Sequence, residues 1–180
     1  MEDRGLVWRH RRKNGSFIDV QVIWSPMAFR GRFAALTLAA DVTERRQAEH
    51  RNVVFSKLGH RLSSATTESE AAVIICDAAD ALFKWSVFAL DLYFAEKDEV
   101  VSLLNITTVE GQRVENPPSK QPQTANNLIH RVISKGAELL SSTEGENEYV
   151  ATMIAPIRKG QRVIGLLLIQ NHVPGSYGQN

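Results

Sequence analysis

At Asp41-Val42-Thr43 the chain changes its period. Upstream of that point apolar residues recur at every second position: Ile18, Val20, Val22 and Trp24 would share one face of an extended strand. Downstream, from Glu44-Arg45-Arg46, a polar helix-forming run begins. Short strands that hand over directly to a charged helix make the chain α+β. The upstream part reads as three strands, over residues 6–12, 17–29 and 33–40. Asn14-Gly15 between the first two is a strong hairpin signal. Gly31 in Phe29-Arg30-Gly31-Arg32 is free to take positive φ at the second turn. Three strands in about 40 residues do not enclose a core by themselves.

Three pieces of this segment fall in an order found in a known family. They are W-R-H-R-R-K-N-G-S-F at 8–17, S-P-M at 25–27 and D-V-T-E-R-R at 41–46. Together they resemble the C-terminal half of a PAS domain, the part often called PAC, and its exit into a signalling helix. The resemblance covers about the first 45 residues. It implies that the chain begins inside a domain and that Asp41 and Thr43 form a signalling hinge. Asp41 is expected to accept hydrogen bonds or pair with a basic residue of the sheet. Thr43 is expected to cap the helix. That helix is placed at residues 44–62. Ala48, Phe55, Leu58 and Leu62 mark a coiled-coil-like seam, interrupted by Arg51. Its first half reads as solvated or dimeric, its second half as docked.

Thr67-Glu68-Ser69-Glu70 fits a capping box, and Ala71, Ile74, Ile75, Ala78 and Leu82 follow at helical spacing. Residues 87–94 alternate, with Phe88, Leu90, Leu92 and Phe94 on one face and Val87, Ala89, Asp91 and Tyr93 on the other. A partner strand is expected at 100–109, a loop at 110–124, a short helix at 125–134 and a short strand at 137–140. Residues 141–148 read as polar and mobile, and 150–158 with 162–170 as a last hairpin turning at Lys159-Gly160. This succession resembles a GAF domain over about residues 52–180. The best-matching piece is A-P-I-R-K-G-Q-R-V-I-G-L-L-L-I at 155–169, similar to the Pro- and Gly-marked hairpin of that family. A GAF domain normally closes with one more helix. The chain stops where that helix would start, so the resemblance implies a truncated domain.

Composition excludes several classes. No run approaches the ~20 apolar residues that span a bilayer, and the start lacks a signal-peptide core. One cysteine, Cys76, excludes an internal disulfide and a multi-cysteine zinc site. Residues 1–60 carry 11 Lys and Arg against 6 Asp and Glu, whereas residues 61–180 carry 10 against 14. The basic excess is densest at Arg9-His10-Arg11-Arg12-Lys13, beside the Asn14-Gly15 turn. A solvated hairpin edge accounts for it better than a nucleic-acid surface. The histidines show no metal-ligand spacing, and no phosphate-binding loop, nucleophile elbow or dinucleotide turn is present. Cys76, between Ile75 and Ala79 on a helix, reads as a buried structural thiol. The GAF resemblance does not extend to the family's bilin-binding cysteine, its thiol-exchange cysteines or its cyclic-nucleotide signature. Nothing in the residues points to haem, flavin, bilin or metal, so the cofactor stays unknown.

The chain therefore reads as α+β, with an antiparallel PAS fragment (1–43), a linker helix (44–62) and a GAF domain (63–180). The resemblance implies a non-catalytic sensory and relay fragment of a bacterial, cytoplasmic signalling protein. A sensor histidine kinase is the expected parent, with a diguanylate cyclase as a variant and a membrane anchor elsewhere left open. It would sense an unknown small molecule, homodimerise through the linker helix, and contact neither nucleic acid nor membrane. Asp91, Tyr93, Asn105 and Thr152 are the candidate pocket, with 110–124 as a lid. The competing reading leaves Asp91 and Tyr93 in open solvent. Two rival functions stand: a ligand-free dimerisation scaffold with a filled cavity, and a phosphoacceptor segment at His60, which Arg61 and the lack of a nucleotide-binding motif disfavour.

Overall fold

The computed structural model describes residues 5–117, 121–144 and 148–172, with no side-chain account for 142–149. It has an α+β fold and divides into two compact units, Met1–Ser56 and Lys57–Asn180.

In the first unit β1 (Leu6–Arg11), β2 (Phe17–Phe29) and β3 (Arg32–Asp41) form an antiparallel sheet in that order. Gly15, at φ 86°, closes the first hairpin, while Asn14 Oδ1 accepts hydrogen bonds from the Ser16 amide and hydroxyl. Arg30 and Gly31 both take positive φ in the second, as a two-residue type I′ turn requires. Arg9 stacks over the Phe17 ring and Arg12 pairs with Asp41, so two cations of the basic cluster are engaged within the unit. Val20 is buried, while Trp24, Phe29, Phe33 and Leu36 are exposed.

The helix α1 (Thr43–Ser64) follows β3. Its less exposed apolar positions are Ala48, Val54, Leu58 and Leu62, whereas Phe55 is 56% exposed. Of the expected seam residues, Phe55 alone turns outward, and Val54 takes its place. Val54, Leu58 and Leu62 stand four apart, a spacing that follows a straight helix more closely than the seven-residue repeat does.

In the second unit, α2 (Glu68–Leu82), β4 (Val87–Phe94), β5 (Glu99–Val109), β6 (Gln112–Asn116), β7 (Gln123–Thr124), α3 (Asn127–Lys135), β8 (Glu138–Glu144), β9 (Glu148–Lys159) and β10 (Arg162–Asn171) follow in chain order. All strands are antiparallel, in the order β6-β5-β4-β10-β9-β8, with β7 against β5. One face carries Phe88, Leu90, Leu104 and Ile169 and is covered by Ala72, Cys76 and Ala79 of α2. The other carries Val100, Ile154 and Leu166 and is covered by Val132 of α3. Thr67 caps α2 as expected, but Glu70 reaches back to the amide and hydroxyl of Thr66, one residue earlier than a capping box places it.

The expected loop at 110–124 is corrected. It holds β6 and β7, and Glu110-Gly111 is a second type I′ turn with both φ positive. Arg113 secures β6: its guanidinium lies 3.3 Å from the Trp85 ring centroid, donates to Trp85 O and Thr108 Oγ1, and pairs with Asp80 of α2. Residues 118–120 of the expected lid lie outside the described residues. The short strand expected at 137–140 runs on to Glu144, because β9 supplies a backbone ladder that needs no apolar pattern. The rest of the expected polar stretch, 145–147, lies outside the described residues.

Candidate ligand cavity and helix junction

The alternation of β4 sends Ala89, Asp91 and Tyr93 to the α3 face of the sheet. In the register, Ala89 faces Asn105 and Asp91 faces Ser102 of β5, and Leu103 of β5 is the extra residue of a bulge opposite the Leu90–Asp91 step. That bulge brings Ser102 to the face of Asp91. Opposite, Gly165 of β10 admits the β4 backbone closely. A Cβ built on Gly165 would sit 2.6 Å from the carbonyl oxygen of Asp91. Asp91 is therefore fixed by a bulge on one side and a bare glycine on the other.

Asp91, Ser102, Asn105, Pro117 and Gln123 line a cavity of about 280 Å³. Burial pushes the Asp91 carboxyl above its ordinary range, and a hydrogen bond with the Ser102 side chain offsets this in part. Asn105 Oδ1 accepts from Asn116 Nδ2 at 2.9 Å, and Asn116 also donates to Thr107 Oγ1, so β6 orients the amide at the cavity wall. No Lys, Arg or His stands among the described lining residues.

Of the four predicted pocket residues, Asp91 and Asn105 share this cavity. Tyr93 and Thr152 do not line it. Tyr93 is turned toward α3, where its hydroxyl donates to Asp98 Oδ1 at 2.9 Å. His130 Nε2 lies 2.9 Å from both oxygens of the same carboxylate. Asp98 sits at φ 53° in the β4–β5 turn, and its carbonyl accepts from Ala125 N. His130, then Tyr93, hold its carboxylate below the usual range. Asp98 thus ties both Tyr93 of β4 and His130 of α3 to the turn. Thr152 lies on β9, where it accepts a hydrogen bond from Gln170 Nε2 at 3.1 Å, and it does not line the cavity. Ser102, Gln123 and His130 were missed by sequence reasoning. Ser102 was legible as a polar position in an apolar strand, but the β5 bulge at Leu103 that brings it opposite Asp91 left no mark in the pattern.

A second cavity, about 440 Å³, is lined mostly by apolar groups, among them Ala72, Ile75, Leu90 and Ile164, and Asp91 and Tyr93 also border it. Cys76, buried in the same layer, has its thiol pushed up to about 11, first by burial and then by the nearby Asp77 and Asp80 carboxylates. His60 is exposed on α1, and Arg61 beside it pairs with Asp77. Among the described residues no group of three or more His, Cys, Asp or Glu is gathered to hold a metal.

At the junction between β3 and α1, Asp41 accepts from Thr43 N and Thr43 Oγ1 at 3.0 and 2.6 Å and from Arg12 Nη2 at 2.7 Å. Thr43 and Arg12 hold the Asp41 carboxylate below the ordinary value. Thr43 Oγ1 does not take a first-turn amide, as an N-cap would. It accepts from Asp19 N of β2 at 2.8 Å, and Val42 O receives the first helical amide, from Arg46. The hydroxyl ties the helix start to the sheet and to Asp41 in place of the expected cap on a first-turn amide. Asp41→Ala with Thr43→Ala is expected to speed hydrogen exchange at the start of α1 about fivefold, the factor that goes with one lost helix-start bond. Unchanged exchange would contradict that tie.

The fold of this chain is that of a GAF domain. A GAF domain from an Acinetobacter phosphoenolpyruvate-protein phosphotransferase superimposes with a TM-score of 0.53 at 15% identity, covering 74% of this chain and 82% of that one. The chromophore-binding domain of the Stigmatella aurantiaca phytochrome P1 gives 0.49 at 12% identity, over 96% of this chain and 66% of that one. No family model matches the chain, and no curated protein does.

Proposed function

We propose that the chain is a sensory and signal-relay fragment of a bacterial signalling protein. It comprises the C-terminal half of a PAS domain (1–43), a linker helix (44–62) and a GAF domain (63–180), and it acts without catalysis. The observation that carries this reading is the cavity on the α3 face. It is open, and its walls are Asp91, Ser102 and Asn105 rather than the leucines and isoleucines of a filled scaffold. Such a site fits a small ligand met by a few placed polar groups. Occupancy biases one arrangement of the sheet and helices, and α1 carries that bias onward. Asp41 and Thr43 are the hinge in this mechanism. Exposed Val53 and Phe55 on α1 support a homodimer through that helix in the parent protein. Among the described residues no helix is long and apolar enough to cross a membrane, which suits the proposed cytoplasmic setting. A sensor histidine kinase is the parent this reading favours, with its phosphoacceptor outside this chain.

Thermal-shift screening against a panel of polar small molecules tests the reading. At least one compound should stabilise the wild type saturably and lose its effect in Ser102→Leu, which fills the cavity. Incubation with ATP should leave His60 unphosphorylated. Autophosphorylation, or a panel with no cavity-dependent hit, would overturn the reading.

A further inference from the structure

Among the described residues, the charge at the cavity carries one sign. Asp91 is a partly buried carboxylate whose hydrogen-bonding neighbour is a neutral hydroxyl, and the other described polar walls are the amides of Asn105, Gln121 and Gln123. A carboxylate withdrawn from water without a cation is costly and is relieved by a proton or by a positive partner. An anion placed there would meet like charge, with no cation among the described lining residues to offset it. At about 280 Å³ the cavity lies at the low end for small-molecule sites, so the ligand has few heavy atoms. Amide carbonyls and a hydroxyl can accept the donors that a carboxylate leaves over.

We propose, resting on the sensory reading above, that this cavity takes a small organic cation, an alkylammonium or amidinium, paired to Asp91 and donating its remaining N–H groups to Ser102 and the wall amides. The site recognises positive charge together with donor geometry. The bulge at Leu103 of β5 and the bare Gly165 keep the carboxylate in place for it.

The test uses the whole chain at constant ionic strength, with calorimetry and thermal shift. The probes are propylammonium and acetamidinium chloride, neutral acetamide, propionate and inorganic phosphate. At least one cation should bind saturably and at least tenfold more tightly than acetamide, propionate or phosphate. Asp91→Asn should weaken it tenfold or more while the variant keeps its circular dichroism spectrum and melts no lower than wild type. Ser102→Leu should abolish binding. Cation binding unchanged in Asp91→Asn overturns the proposal, as does phosphate or propionate binding as well as the cations. If acetamide or an anion binds in a Ser102→Leu-sensitive way and the cations do not, the charge class is wrong and the sensory cavity stands. If no probe binds, both fall.

Discussion

Phe88→Ala is expected to lower the stability of the second unit by about 3–5 kcal/mol, the cost of emptying a fully buried aromatic site. Phe88 is 0% exposed, lies 5.5 Å from the Trp85 ring centroid, and packs among Leu90, Leu104 and Ile169 under α2. These neighbours belong to the α2–β4 connection and to three different strands, so collapse into the void would need several elements to shift together. Phe94, at the end of the same strand, is 45% exposed. Its alanine variant should cost less than about 1 kcal/mol. Urea unfolding followed by far-ultraviolet circular dichroism separates the two. Equal, small losses for both would mean that the α2-face core is not where the unit is held together.

Gly165→Ala should act differently, through backbone rather than volume. Its methyl group would meet Asp91 O at 2.6 Å, closer than carbon and oxygen tolerate, and the obstacle is main chain that cannot swing aside. Overpacking of this kind costs about 1–3 kcal/mol. The displaced segment carries Asp91, so ligand affinity should fall tenfold or more alongside stability. Gly160→Ala is the control. Gly160 has φ 61° in the β9–β10 turn with nothing within 4 Å of a built Cβ, so it should lose about 1 kcal/mol to backbone strain and leave the cavity intact. If Gly165→Ala keeps full affinity, Asp91 is not held by the close approach of β10.

The two positions show what the sequence could and could not carry. The period-two alternation at 87–94 was enough to place Phe88 in a core and to put Asp91 and Tyr93 on the opposite face. It was not enough to separate Asp91 from Tyr93, because Tyr93 is claimed by Asp98 of the following turn, whose other partner, His130, stands 37 positions after Tyr93. Thr152 failed for a related reason. It shares the sheet face with Asp91, but β10 lies between their strands, and its hydroxyl is taken by Gln170. The β6 hairpin was missed although Gly111 marks its turn, since an exposed edge strand such as Gln112–Asn116 needs no apolar alternation. At the helix junction the residue types were right and the bonding was not. A threonine before a helix suggests a cap, and only the register of β2 reveals that Asp19 claims its hydroxyl.

The most direct test of the account is amide chemical-shift mapping of the isotope-labelled chain during titration with acetamidinium chloride, with acetamide titrated in parallel. Saturating shifts that share one dissociation constant are expected at Asp91, Ser102, Asn105 and Gln123, strongest for the cation and absent in Ser102→Leu. Saturating shifts centred instead on Ala72, Ile75 and Ile164, in the cavity beside α2, or no saturating shift from either compound, would contradict it.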